Sequence, residues 1–323
     1  MSELRWHPIL GQWVISATHR QNRTYKPPVE HCPLCPTQAG NPPTEIPFAE
    51  FDIAVFQNKF PSLRRDAAEA DVEGTPLYPV RKAEVICEVV VYTPEHNGNL
   101  GSCSEEKVRN LIDVWADRYN ELGALECVDY VFIFENRGEA AGVTLHHPHG
   151  QIYAYPFIPP ICQREIEQSE AHYTQTGRCL FCDVVKEEQK DGRRIVWQDE
   201  HIVAFVPFFA RFPFEVHIYP QRHMGCISQL NDQERWALAQ SMQQVIRRYD
   251  RLFGVPMPYM MAMHQQPTDG GNYPYYHYHI EFLPLARAEN KLKYLAGSES
   301  GAGTFITDMA AEEQAQRLVA HGS

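Results

Sequence analysis

No run of about 18 apolar residues occurs in this chain of 323 residues, so no membrane-spanning helix is expected. The first residues, Met1-Ser2-Glu3-Leu4-Arg5, lack the basic stretch and following apolar stretch of a secretory leader. Positive charge is in deficit. Lys and Arg total 29 against 41 Asp and Glu, a formal net charge of −12, whereas a general binder of the nucleic-acid backbone would be basic. A small anionic substrate is not excluded, because a few local arginines can hold one. Compositional extremes are absent as well. Charged residues at 22% and apolar residues at 44% exclude a wholly disordered or collagen-like chain. Complete disulfide pairing is impossible with nine cysteines, and with no leader the thiols read as cytosolic thiols or metal ligands, in a cytoplasmic protein.

What is present is a repeat. Cys32-Pro33-Leu34-Cys35 in the first half is answered by Cys179-Leu180-Phe181-Cys182 in the second. The apolar run Val89-Val90-Val91-Tyr92, which leads to His96, is answered by Val216-His217-Ile218-Tyr219, which leads to His223. A helix follows each. Val108, Leu111, Ile112, Trp115, Tyr119 and Leu122 form one apolar stripe, with Ser102-Cys103-Ser104-Glu105 as a capping box ahead of it. Leu238, Met242, Val245, Ile246, Tyr249 and Leu252 form the other, with Asp232 as cap. A strand and an alternating His pair close each copy: His147-Pro148-His149 and His277-Tyr278-His279. The pattern predicts an α+β fold of two fused units, 1–160 and 161–323, with mainly antiparallel sheet and packed helices. A final short helix is expected over 308–319.

Two cysteines two residues apart reach one soft ion, and two imidazoles complete a tetrahedron. Cys32, Cys35, His96 and His147 form such a set, which reads as a zinc site. Cys179, Cys182, His223 and His277 form a second in the same order. Glu165, His264, His277 and His279 offer the second half a competing set suited to iron or zinc. His277 falls in both, so the two are alternatives at this level, with the cysteine set favoured. Closed shells of this kind are structural, because they leave no position for water.

The densest motif is Leu145-His146-His147-Pro148-His149-Gly150-Gln151-Ile152. If 147–152 is extended, His147, His149 and Gln151 face one side. Gly150 leaves room for a ligand close to the backbone. A neutral imidazole attacks phosphorus to form a phosphoramidate, provided an acceptor orients its other ring nitrogen. A glutamine amide stabilises phosphoryl oxygens without supplying a proton.

His147-Pro148-His149-Gly150-Gln151-Ile152 resembles the active-site motif of the galactose-1-phosphate uridylyltransferases, in the histidine-triad superfamily. The resemblance covers nearly the whole chain and includes the tandem repeat, so each half resembles a histidine-triad unit. It implies that His149 is the nucleophile, attacking the α-phosphorus of UDP-glucose to release glucose 1-phosphate. Galactose 1-phosphate would then collect the uridylyl group as UDP-galactose. Gln151 would hold the phosphoryl oxygens. The resemblance further implies uridine contacts at Asn58 and Phe60, with Lys59 standing where some members carry an acidic residue. Ribose and phosphate contacts fall at Asn136, Gly142 and Thr144, and sugar-phosphate contacts at Arg20 and Arg23. Lys293, Tyr294 and Glu299 match a hexose-contacting loop that reaches a neighbouring subunit, which implies a homodimer with shared active sites. The same resemblance matches Cys32, Cys35, His96 and His147 to the family's zinc ligands, and matches both second-half sets to different branches.

Three rivals stand beside this reading. A nucleotide-sugar phosphorylase of the ADP-glucose type would share His149 and both zinc sites. A dinucleotide hydrolase would carry a third His, as proton donor, where Gln151 stands. A zinc-stabilised binding module would have no chemistry at all. Neither nucleic acid nor membrane is an expected partner.

Overall fold

A computed structural model describes residues 2–18, 27–28, 31–59, 70, 72–84 and 86–322. Arg20, Arg23 and Phe60 lie outside the described residues. The first half comprises β1 (Ser2–His7), β2 (Gln12–Ala17), β3 (Ala54–Gln57), β4 (Val80–Lys82), β5 (Cys87–Val91), α1 (Glu105–Gly123), β6 (Tyr130–Arg137) and β7 (His149–Tyr155). The second comprises α2 (Pro160–Thr176), α3 (Leu180–Asp191), β8 (Ile195–Gln198), β9 (Ile202–Phe205), β10 (Val216–Pro220), α4 (Asp232–Leu252), β11 (Tyr259–His264), β12 (His279–Pro284), β13 (Ala286–Ala288), β14 (Lys291–Leu292) and α5 (Ala311–Ala320). The protein is α+β, and its main sheet is antiparallel throughout.

Among the described residues that sheet has nine strands, in the order β3-β5-β7-β6-β11-β12-β10-β9-β8. The order is nearly a palindrome about the β6–β11 seam, where Met261 faces Glu135 and Met263 faces Ile133. Both halves therefore share one sheet, with β5, β7 and β6 answered by β10, β12 and β11.

Strand side chains alternate, so the two faces carry different residues. On one face Ile152, Ile133, Met263, Ile280, Ile218 and Ala204 follow one another across six strands. α1 and α4 bury their apolar stripes on this face, including Trp115, Leu111, Met242 and Ile246. Each large side chain buried this way stabilises the fold by about 1.5–3 kcal/mol. On the other face the row reads Phe56, Val89, Gln151, Phe134, Ala262, Glu281, His217 and Phe205. Polar groups in that row mark the side on which the chemistry lies.

The helix starts differ slightly from the sequence expectation. Ser104 rather than Ser102 caps α1, accepting from the Lys107 N–H, because Ser102 is held in a turn with Asn99. Asn231 rather than Asp232 caps α4, since this places Glu234 three residues on and completes a capping box. α5 begins at Ala311, and Asp308 instead pairs with Arg287.

One polar group is enclosed on the helix side. The Tyr259 hydroxyl donates to Glu135 Oε1 at 3.0 Å, and burial pushes the Glu135 carboxyl from 4.5 up to about 7. Below pH 4.5 both folded and unfolded chains hold this proton. Between there and pH 7 only the folded chain does, so deprotonation progressively removes about 3 kcal/mol of stability as pH rises. Glu135→Gln is therefore expected to melt above the wild type at pH 8, with the gap closing towards pH 4. Thermal unfolding at both pH values checks this, and a gap independent of pH would contradict it.

Candidate active site

β7 sends His149, Gln151 and Tyr153 to one side of the sheet, at every second residue. They line a cavity of about 270 Å³ with Asn58, Asn136, Gly142 and Thr144. The cavity thus gathers six of the residues singled out in the sequence. The sequence reading did not find the apolar walls Leu34, Phe56, Val89 and Phe134, or Glu45, and it named Lys59 beside Asn58 without giving it a role. Strand register holds the signal for two of these, because Val89 and Phe134 are the cross-strand partners of Gln151. Lys293, Tyr294 and Glu299 are not among the walls. Lys293 Nζ donates to Glu299 Oε1 at 2.9 Å and to the Ile306 carbonyl at 2.7 Å, while Tyr294 is 76% exposed.

His149 Nδ1 lies 2.7 Å from the His147 carbonyl oxygen. A carbonyl only accepts, so Nδ1 carries the proton and Nε2 keeps its lone pair. Burial lowers the His149 pKa, opposed by that backbone bond, so the ring is neutral at neutral pH. Gln151 is oriented in the same manner. Asn58 Nδ2 approaches its Oε1 at 3.3 Å and the Tyr153 hydroxyl at 3.5 Å. With its oxygen engaged by donors, the side chain turns its amide N–H groups to the cavity.

Gly150 has a different purpose from the one expected. A Cβ there would lie 2.1 Å from the Tyr92 hydroxyl and 3.1 Å from the Phe134 carbonyl, on the face away from the cavity. The glycine admits Tyr92, not a ligand. Gly150→Ala is expected to cost about 1–3 kcal/mol through overpacking. Adding Tyr92→Phe should recover part of it, because the hydroxyl is the nearest atom. Denaturant unfolding of both variants tests this, and an unperturbed Gly150→Ala would contradict the packing.

His147 turns away from the cavity, since β7 begins only at His149. Its Nδ1 lies 3.5 Å from Cys35 Sγ, and His96 Nδ1 lies 3.4 Å from the same sulfur. Ligand atoms of Cys32, Cys35, His96 and His147 all fall within 4.8 Å of one another. Tetrahedral bonds of about 2.0–2.3 Å place donors at such separations. The residues fit a metal on a further ground. His147 Nε2 donates to the Thr93 carbonyl at 2.7 Å, which leaves the Nδ1 lone pair aimed at the thiols.

In the second half Cys182 Sγ lies 3.4 Å from both His223 Nδ1 and His277 Nδ1, with Cys179 completing the group. The alternative set is divided. His277, ahead of β12, joins the cysteines, whereas β12 directs His279 onto the sheet face with Glu281. There Glu165 Oε2 accepts from His264 Nδ1 at 2.9 Å, and the His264 and His279 rings stack at 4.9 Å. The two groupings therefore do not compete: the structure holds both, with Glu281 and not His277 beside His279.

The register shows what became of the motif in the second copy. Glu281 faces Ala262 on β11 as Gln151 faces Phe134 on β6, so it occupies the position of Gln151. Arg211 Nη2 donates to Glu281 Oε2 at 2.7 Å, and His279, the counterpart of His149, is 1% exposed. The first copy presents its histidine to a cavity and the second encloses it.

The family pattern described as galactose-1-phosphate uridyl transferase, N-terminal domain, matches residues 1–159, and that of the C-terminal domain matches residues 165–321. A galactose-1-phosphate uridylyltransferase of Thermotoga maritima is 37% identical over 98% of this chain and 98% of its own. That of Rattus norvegicus is 32% identical over 98% of this chain and 86% of its own. A solved uridylyltransferase structure is 33% identical and superposes with a TM-score of 0.87, covering 99% of this chain and 98% of that one. An ADP-glucose phosphorylase from Arabidopsis thaliana with bound ADP-glucose shares the fold, with a TM-score of 0.75 at 23% identity over 99% and 98% of the two chains.

Proposed function

The chain belongs to the galactose-1-phosphate uridylyltransferase family, and on that premise we propose how its residues carry a uridylyl group from UDP-glucose to galactose 1-phosphate. It is a nucleotidyltransferase. His149 Nε2 attacks the α-phosphorus. The P–N bond forms as the bond from that phosphorus to the bridging oxygen breaks, and glucose 1-phosphate leaves with the electron pair. A phosphate oxygen of galactose 1-phosphate then attacks the same phosphorus. The P–N pair returns to the imidazole and UDP-galactose departs.

The His149 Nδ1 contact with the His147 carbonyl at 2.7 Å carries this reading, because it fixes the tautomer that exposes Nε2. The leaving oxygen belongs to a phosphate and needs no proton at neutral pH. A glutamine that donates to the phosphoryl oxygens therefore serves where a hydrolase would need an acid. Asn58 and Tyr153 orient it. Asn136, Gly142 and Thr144 line the same cavity and are assigned to the ribose and phosphates under this reading.

Two thiols and two imidazoles suit zinc in both cysteine sets. A metal held by Cys32, Cys35, His96 and His147 supplies rigidity behind His149. A second, on Cys179, Cys182, His223 and His277, holds the start of α3 to the approach to β12. The Glu165, His264 and His279 group is the harder set, suited to iron or zinc. Free cysteines accord with a cytoplasmic protein, and among the described residues no helix is long and apolar enough to cross a membrane. The exposed Tyr294 and Leu295 suit a loop that meets a second copy in a homodimer.

A two-step route predicts exchange. Labelled glucose 1-phosphate should enter UDP-glucose with no galactose 1-phosphate present. Exchange that strictly required the second sugar phosphate would overturn the covalent route.

A further inference from the structure

Lys59 stands at a position for which the resemblance implies an acidic residue in some members, and its own surroundings include a carboxylate. Its Nζ lies 2.8 Å from Glu45 Oε1, and both residues line the cavity that holds His149. Among the described walls Glu45 is the only carboxylate and Lys59 the only lysine or arginine. Glu45 is not on a loose tip. Its N–H donates to the Pro33 carbonyl at 3.0 Å, and the Thr37 N–H donates to the carbonyl of Ile46, which is buried. The Thr44 hydroxyl donates to the Cys35 carbonyl at 2.6 Å. This clamp ties Glu45 to the Cys32–Cys35 segment. Glu45 is 28% exposed on its side chain and Lys59 is 65% exposed, so the pair stands at the solvent edge of the cavity.

His149 and Gln151 take up the phosphate end under the proposed reaction, on which this inference rests. The remaining walls must receive the nucleoside. Leu34, Phe56 and Val89 are apolar and suit a base. A ribose presents two adjacent hydroxyl donors, which call for an acceptor, and a carboxylate is the usual one. An unpartnered glutamate near a pyrophosphate would repel it, and Lys59 offsets that charge. Lys59 follows Asn58, the residue that meets Gln151. Glu45 is thus linked through Lys59 and Asn58 to Gln151, the group assigned to the phosphates.

We propose that Glu45 is a specificity-determining residue that accepts hydrogen bonds from the ribose hydroxyls of the nucleotide donor, and that Lys59 is a positioning residue holding its carboxylate there. The carboxylate comes from the loop that follows Cys35, and position 59 carries the opposite charge.

The test uses the full-length protein and three donors, UDP-glucose and its 2′-deoxy- and 3′-deoxyuridine analogues. Glu45→Gln keeps the shape and removes the charge. It should raise KM for UDP-glucose about tenfold or more, leave kcat within a few-fold, and leave KM for at least one deoxy analogue nearly unchanged. Discrimination between ribose and deoxyribose then collapses. Lys59→Met should weaken it to a smaller extent. A wild-type discrimination ratio retained in Glu45→Gln overturns the proposal, as does a fall in kcat with KM unchanged. Failure of the wild type to transfer from UDP-glucose at all would instead remove the reaction on which the proposal stands.

Discussion

His149→Ala is expected to lower uridylyl transfer by on the order of 10⁴-fold or more, with the fold intact. The reason lies in the route. Without Nε2 there is no P–N intermediate, and galactose 1-phosphate would have to displace glucose 1-phosphate directly. Two sugar phosphates, both anionic, would then have to approach one phosphorus in a cavity of about 270 Å³. Little structural loss is expected, because His149 is not a member of either cysteine set and its ring borders the cavity. The His147 carbonyl that it contacts loses one donor. Steady-state assay and thermal melting together decide the matter. A folded His149→Ala protein with wild-type activity would remove the nucleophile from the account.

Cys32→Ser should show the second large effect, and on a different axis. One equivalent of metal should be lost, and the melting temperature should fall by roughly 10 °C. Cys32 is buried with Leu34, Ile46, Val89 and Val91 in a small core of their own. Without the ion, His96 and His147 keep lone pairs aimed at a vacated centre, and the loop that carries Leu34 and Glu45 loses its anchor. Activity should fall as well, since the backbone of His147 orients His149. That fall should be smaller than for His149→Ala, because the attacking atom remains. Metal analysis of the purified variant, set beside its melting curve, is the check. Metal content equal to wild type would show that Cys32 is not a ligand.

Much of this was legible in the sequence, for physical reasons. A helix with one apolar stripe and a strand of β-branched residues announce themselves locally, so the repeat, α1, α4 and the two cysteine sets could be read directly. The joining of the halves could not. β6 and β11 lie more than a hundred residues apart, and nothing in either sequence states that they are neighbours. Alternation placed His147 on one face with His149 and Gln151, but β7 starts only at His149. In each H-x-H pair the first histidine precedes the strand and turns to the cysteines. The second-half ligand sets looked like rivals because both were read to include His277. Gly150 was misread because the atom it accommodates, the Tyr92 hydroxyl, approaches from the other face of the sheet. Glu45 carried no local signal, since only the tertiary clamp brings it to Lys59.

The most direct measurement is the intact mass of the protein after mixing with UDP-glucose and no acceptor, followed by mapping of any adduct. The account predicts one uridylyl group per chain, on His149, discharged by galactose 1-phosphate. A protein that turns over UDP-glucose and galactose 1-phosphate yet shows no adduct, or carries it on another residue, would contradict it.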